Sequence, residues 1–251
     1  MDIIQKFYDE LSSHYTKLFF DWNESVGEQA ELLSKIFSDN GYSKNTRVLD
    51  CACGIGTQSI GLASLGYNLV ACDISCEAID KAKSEACKRN LEIRFENCDF
   101  RYLSHNFKEK FDIIILIDNA LPHMLSNEDL KAAIKSIVDQ LDEGGMFVAS
   151  IRDYDALLEN KPLYSPPYIH KKDDGQCVSF QTWEWDGDNY KLVQYIIEDE
   201  NVLKVNKFAC EYRATRRSEI TELLILFGCN SVEWKFPDET GFYQPIVIAK
   251  K

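Results

Sequence analysis

Apolar residues recur at helical spacing over Ile3–Leu11 and again over residues 25–39, where Asn40-Gly41 stops the second helix. The pattern then changes period. Arg47–Asp50 reads as a short apolar strand that runs into a turn with Gly54 and Gly56, a helix, and a second strand ending at Asp73. A helix over Cys76–Lys88 follows, then a strand over 91–95 that leads into Asn97-Cys98-Asp99-Phe100. Residues 111–117 are continuously apolar, as in a central parallel strand buried on both faces. That strand ends at Asp118-Asn119-Ala120-Leu121-Pro122-His123; a helix over 127–141 is stopped by Gly144-Gly145, and a fifth strand over 146–151 ends in Arg152-Asp153-Tyr154. Strands alternating with helices predict an α/β fold with a doubly wound, Rossmann-like sheet, its ligand lying beyond the carboxyl ends of the strands.

After a proline-bearing connection over 160–167, residues 176–212 read as three alternating strands with no helix between them. Asp186-Gly187-Asp188-Asn189 and Asp199-Glu200-Asn201 supply the turns. This predicts an antiparallel meander inserted into the α/β domain. Helical spacing returns over 216–227 with a Gly228 stop, and strands over 231–236 and 246–249 close the chain. The expected division is an N-terminal helical cap (1–43), a ligand-binding domain (44–154 and 213–251) and an inserted sheet (155–212) acting as a substrate lid.

Charge narrows the partners. The 251 residues carry 41 acidic and 28 basic side chains, a formal net charge of −13, which disfavours a nucleic-acid partner because phosphate binding depends on Lys and Arg. The N-terminal stretch is amphipathic and carries acids, so neither a signal peptide nor a membrane span is expected, and the protein is expected to be cytoplasmic. The oligomeric state is not encoded legibly. Nine cysteines are scattered without a C-x-x-C grid and read as small buried hydrophobes; Cys51 and Cys53 lack zinc-ligand spacing, so no metal is expected.

The strand–turn–helix–strand segment from Thr46 to Ser75 carries the chemistry. Gly54 and Gly56 let backbone N–H groups approach a ligand at a helix start, and Asp73 is placed to accept the hydroxyls of a ribose. The turn, Asp50-Cys-Ala-Cys-Gly-Ile-Gly, lacks the G-x-G-x-x-G spacing of a dinucleotide site. Asp50 would repel a pyrophosphate and suits a ligand bearing an ammonium group. These residues resemble motif I of the class I S-adenosylmethionine-dependent methyltransferases, with Ala52 where many members have glycine. The resemblance implies a seven-stranded sheet whose last strand is antiparallel. Within that class YDELSSHY, ACGIGTQS, DNALPHM, RDYD, the inserted meander and GFYQP are similar to the glycine and sarcosine N-methyltransferase branch.

That resemblance implies S-adenosylmethionine as cofactor and a small-molecule methyl acceptor, most plausibly the amine of a glycine-like amino acid. The alternatives are O- or C-methylation of a small metabolite, or cofactor binding without turnover. It assigns Asp50, Ala52, Gly54 and Gly56 to the methionine end of the cofactor, Asp73 to its ribose, Ile74, Asp99 and Phe100 to its adenine, and Ile117 and Asp118 to the sulfonium side. Asp99 could instead cap a turn. Tyr15 and Trp22 either fold over the cofactor or belong to the aromatic core. The arginine that meets the cofactor carboxylate in the glycine enzymes has no counterpart, and Gln29 is a substitute candidate. Asn119 and Arg152 are the candidates for holding the acceptor, Arg152 through a bidentate carboxylate contact unless it pairs with Asp153 or Asp155. His123 either relays a proton through water or packs.

Overall fold

Two amphipathic helices, α1 (Ile3–Leu11) and α2 (Trp22–Asp39), precede the sheet in the computed structural model, which describes residues 3–172, 175–199 and 202–251. The second helix starts at Trp22 rather than at 25 because Asp21 caps it, Oδ1 accepting from the N–H groups of Asn23 at 2.8 Å and Glu24 at 3.2 Å. The alternating core follows as β1 (Arg47–Asp50), α3 (Thr57–Ser64), β2 (Asn68–Asp73), α4 (Cys76–Lys88), β3 (Arg94–Asn97), β4 (Phe111–Leu116), α5 (Asn127–Gln140) and β5 (Leu141–Ser150). A short helix α6 (Tyr154–Asn160) leads to β6 (Tyr168–Lys172), β7 (Gly175–Asp186), β8 (Asn189–Asp199) and β9 (Leu203–Arg213). The chain returns through α7 (Arg217–Leu226), β10 (Ser231–Lys235), α8 (Pro237–Thr240) and β11 (Ile246–Lys250).

The main sheet has the order β10-β11-β5-β4-β1-β2-β3, parallel except for β11, which runs antiparallel to both neighbours. β4 lies near the middle, and Ile113, Ile114, Ile115 and Leu116 are fully buried because helices cover both faces. The carboxyl ends of β1, β2, β4 and β5 therefore open on one edge, which fixes where Asp50, Asp73, Asp118 and Arg152 emerge.

Three expectations are corrected. β3 covers Arg94–Asn97 instead of 91–95. The Gly144-Gly145 pair does not follow a helix end at 141; it sits inside β5, which starts at Leu141, with Gly144 at φ 72° and Gly145 so close to the carbonyls of Asp142 and Asp112 that a Cβ would lie 2.9 Å and 3.2 Å from them. The second sheet has four strands, in the order β6-β7-β8-β9, because Tyr168–Lys172 pairs with β7. The Asp186–Asn189 turn joins β7 to β8 as expected; of the second predicted turn, Glu200 and Asn201 lie outside the described residues.

Candidate active site

The turn after β1 is shaped from below by Asp50. Its carboxylate is buried and accepts from Ser59 Oγ at 2.6 Å and from the Ala52 N–H. Burial pushes its pKa up to about 7, against the opposing pull of those two donors. Asp50 does not line the cleft above the turn, and its side chain supports that turn from below. Gly56, at φ 93°, starts α3, and a Cβ there would lie 2.9 Å from Ile60 Cδ1 and 3.3 Å from Ala82 Cβ, so it serves the turn and the packing of α3. Gly54, at φ 52°, does line the cleft, and a Cβ on it would meet nothing within 4 Å. That space is where a ligand can approach the backbone.

Asp73 ends β2 with its carboxylate turned onto the same turn, Oδ2 accepting from Gly54 N at 2.8 Å and Oδ1 from Ser75 N at 2.9 Å. Burial raises its pKa, and the backbone donors hold it down. With Asp73 the cleft is lined by Ala52, Ile74, Asp99, Phe100, Ile117 and Asp118, and Tyr15 and His123 reach it from elsewhere. Asp99 also caps the 3-10 turn Phe100–His105 through Arg101 N, and its Oδ2 accepts from the Arg101 guanidinium at 2.9 Å from Nε and 2.6 Å from Nη2, with Oδ1 3.1 Å from Nε. Both the cleft position and the capping role of Asp99 are therefore realised.

Asp118 and Asn119 stand side by side at φ 62° and 68°, a left-handed pair of non-glycine residues at the carboxyl end of β4. Asp118 accepts from Gln58 Nε2 at 2.9 Å and from the Tyr243 hydroxyl at 2.5 Å, and Gln58 also donates to Gln29 at 2.7 Å. Asn119 accepts from Arg152 N at 3.0 Å and donates to the Tyr154 hydroxyl at 3.0 Å. Gln58, Tyr243 and Tyr154 were not anticipated; ACGIGTQS and GFYQP flag the first two only as segments.

Arg152 faces a second, wider cavity that shares Tyr8, Tyr15 and Asp118 with the cleft. Its Nη1 donates to the Tyr190 hydroxyl at 2.9 Å and its Nη2 to Gln181 Oε1 at 2.8 Å, with the guanidinium carbon 5.2 Å from the Trp183 ring and 5.7 Å from that of Tyr212. The alternative pairing with Asp153 or Asp155 does not occur: Arg217 binds both of those acids. Among the described residues Arg152 has no carboxylate partner within 4.0 Å.

His123 is buried, with the Tyr8 hydroxyl 2.8 Å from Nε2, Cys210 Sγ 3.7 Å from Nδ1, and its ring centroid 4.2 Å from that of Tyr212. Burial pushes its pKa down to about 3, which makes it a neutral packing group and a weak base. Tyr15 lines both cavities, and burial together with the Asp118 and Asp73 charges keeps its phenol protonated. Trp22 reaches neither. Its indole N–H donates to Thr57 Oγ1 at 2.9 Å and Arg89 lies over its ring at 5.3 Å, so its ring is packed between α2, α3 and α4. Cys51 and Cys53 are buried free thiols.

Residues 48–145 match the family described as a methyltransferase domain. The chain is 25% identical over 238 residues to the glycine/sarcosine N-methyltransferase of Aphanothece halophytica, covering 92% of this chain and 84% of that one. It is 26% identical over 197 residues to the enzyme of the same name from Halorhodospira halochloris, covering 78% and 71%. The fold is similar to that of an S-adenosylmethionine-dependent methyltransferase from Clostridium acetobutylicum ATCC 824, with a TM-score of 0.75 at 20% identity over 97% of this chain and 98% of that one. A cofactor-bound amino pentose methyltransferase from Micromonospora echinaspora gives 0.74 at 13% identity, covering 95% and 94%.

A glycine turn at the end of β1, an acid at the end of β2 and the single antiparallel strand β11 thus resemble the class I S-adenosylmethionine-dependent methyltransferases, and the protein is a methyltransferase that uses this cofactor as its methyl donor. Within that class the chain resembles the glycine/sarcosine N-methyltransferases. Among the described residues no helix is long and apolar enough to cross a membrane.

Proposed function

We propose that the enzyme methylates the amine of an amino acid, glycine-like in presenting an amine beside a carboxylate. The observation that carries this reading is Arg152: a guanidinium without a carboxylate partner, held in place by Tyr190 and Gln181, in a cavity that meets the cofactor cleft at Tyr8, Tyr15 and Asp118. An acceptor carboxylate on the Arg152 fork, steadied by Asn119, puts the amine of the same molecule toward that junction.

The cofactor supplies a methyl already activated by its sulfonium, so the protein's work is to bind, align and exclude water. In this reading Asp73 takes the ribose hydroxyls, Ile74 and Phe100 sandwich the adenine, and Asp99 meets its amino group. Ala52, Gly54 and the first N–H groups of α3 face the methionine end, which gives its carboxylate a helix start in place of an arginine. Asp118, braced by Gln58 and Tyr243, places negative charge near the sulfonium. The N-terminal segment and the inserted sheet form the outer walls. Neither His123 nor Tyr15 serves as a base, so the acceptor ammonium gives up its proton to water before the amine enters, and the methylated product leaves as the ammonium ion that the transfer forms.

The test is S-adenosylhomocysteine formation from labelled S-adenosylmethionine with a panel of amines, acids and phenols. Turnover of amino acids supports the reading. Turnover confined to phenols or to amines without a carboxylate overturns it, and binding without any turnover leaves a sensor.

A further inference from the structure

The cavity that holds Arg152 is much larger than a glycine requires. It is open to solvent on one side and has a volume of about 1470 Å³, above the roughly 300–1,000 Å³ of pockets that take drug-sized ligands. Its polar groups are concentrated next to the cofactor cleft and linked to one another: Arg152 donates to Gln181 Oε1 at 2.8 Å, and Gln181 Nε2 donates to Gln194 Oε1 at 2.9 Å. Asn119 completes this polar end.

Away from that end the walls are mostly apolar and come from separate parts of the chain: Leu18 and Phe19 from the N-terminal segment, Leu157 from α6, Tyr168 from β6, and Trp183 and Leu192 from the inserted sheet, with Ser25, Asp153 and Asn160 as polar interruptions. The carboxylates of Asp21, Glu24 and Glu28 also border the cavity, but all three side chains are exposed and sit at its rim. A rim of that sign attracts an ammonium group and disfavours a second carboxylate on the ligand.

Resting on the amino-acid reading above, we infer that the acceptor is an α-amino monocarboxylic acid with a bulky apolar or aromatic side chain, and that glycine and sarcosine are poor substrates. The carboxylate occupies Arg152, the amine points to the junction at Tyr15 and Asp118, and the side chain covers the apolar walls. Glycine bound through its carboxylate alone leaves those walls wet and gains nothing from them, whereas a large side chain both removes apolar surface from water and restricts how the amine is presented.

The experiment measures kcat/KM of the full chain, as S-adenosylhomocysteine formed, for glycine, sarcosine, alanine, leucine, phenylalanine, tryptophan and glutamate, and for the decarboxylated amines of leucine and phenylalanine. The expected result is a rise of at least tenfold from glycine to leucine or phenylalanine, with glutamate and the decarboxylated amines at least tenfold below the best amino acid. Ala156→Trp, on the exposed face of α6 that borders the cavity, should cut the phenylalanine-to-glycine ratio at least tenfold while the melting curve stays in place. Glycine or sarcosine as the best acceptor overturns this inference and leaves the amino-acid reading standing. Decarboxylated amines equal to their parents overturn the amino-acid reading itself. If no member is turned over, calorimetry on the protein loaded with S-adenosylhomocysteine decides: tighter binding of phenylalanine than of glycine upholds the inference, and its absence overturns it.

Discussion

Arg152 Nη1 donates to the hydroxyl of Tyr190 at 2.9 Å, which joins the end of β5 in the parallel sheet to the start of β8 in the inserted one. The bond closes a ring. The Tyr190 hydroxyl lies 2.8 Å from that of Tyr154, Tyr154 accepts from Asn119, and Asn119 accepts from the backbone N–H of Arg152. A guanidinium so placed is oriented before any ligand arrives, and its remaining N–H groups are not spent on an acid of the protein.

Arg152→Lys is the direct consequence. A lysine keeps the charge but cannot reach Tyr190 and Gln181 together, nor present a fork to a carboxylate. The loss should be about 1.5–3 kcal/mol in kcat/KM for a carboxylate-bearing acceptor, the scale of hydrogen bonds to charged groups. Affinity for S-adenosylhomocysteine, read by calorimetry, should be unchanged. Equal loss of both would move Arg152 into the cofactor site.

Trp22 and Asp73 should part company under substitution. Trp22 does not itself line the cleft, and Trp22→Phe removes its 2.9 Å bond to Thr57 Oγ1 while keeping an aromatic ring in place, so it should lower unfolding free energy by about 1 kcal/mol and change cofactor affinity far less than Asp73→Ala does. Asp73→Ala removes an acid that lines the cleft and holds Gly54 N, so it should weaken S-adenosylmethionine binding by about 1.5–3 kcal/mol. Urea unfolding and calorimetry on the two variants check both halves, and a cofactor defect in Trp22→Phe as large as that of Asp73→Ala would assign Trp22 to the cofactor.

The contrast marks how far the sequence is legible. β1, the end of β2 and β4 are readable because an uninterrupted apolar run bounded by a polar turn has few other solutions, and Asp73, Asp118, Asn119 and Arg152 then fall at strand ends by position alone. What the pattern does not carry is the partner. Nothing near Asp99 shows that Arg101 two residues on will grip it, and nothing near Trp22 shows that Thr57 will. Gln58 meets Asp118 across 60 residues, and β6 exists as a strand only because β7 is there to pair with it. The glycine pair in β5 misleads for a physical reason: Gly145 is required by crowding from the carbonyls of Asp112 and Asp142, a tertiary demand that looks in sequence like a helix stop.

The pH dependence of stability should expose Asp50. Burial raises its pKa from 3.8 to about 7 in the folded protein, so between those values the folded state holds a proton that the unfolded state has lost. Its contribution is complete below pH 4 and declines as pH rises to about 7. Glu85, with a pKa lowered to about 2 by Lys88 and Arg89 against the effect of burial, works in the opposite sense below pH 4 and so does not mask it. Burial raises the pKa of Asp73 and Asp118 as well, so the difference between wild type and Asp50→Asn is the quantity to measure. In urea unfolding without ligand, Asn should gain about 1–3 kcal/mol relative to wild type between pH 4 and pH 7. A constant difference across that range would mean that Asp50 titrates normally.

Closure over the reacting centre should be visible in the segment from Tyr8 to Trp22. Tyr15 lines both cavities, so whatever enters either one contacts this segment, and the sheet alone would leave the sulfonium exposed to water. The segment is held by the Tyr8 hydroxyl on His123 at 2.8 Å, by Ser75 Oγ donating to Asp9 at 2.6 Å, by Lys17 on Glu198 at 2.8 Å and by Trp22 on Thr57 at 2.9 Å. These polar contacts can break singly, unlike the apolar packing of β4, so local opening should cost less than global unfolding. Backbone hydrogen exchange should therefore show protection over residues 8–22 rising on addition of S-adenosylhomocysteine by more than protection over Phe111–Leu116 does. Glu198→Gln, which weakens one pin without touching the cleft, should speed exchange of residues 8–22 in the free protein and reduce that speeding once the ligand is bound. Equal protection of the segment with and without ligand would make it a fixed wall, and the gating role of Tyr15 would fall with it.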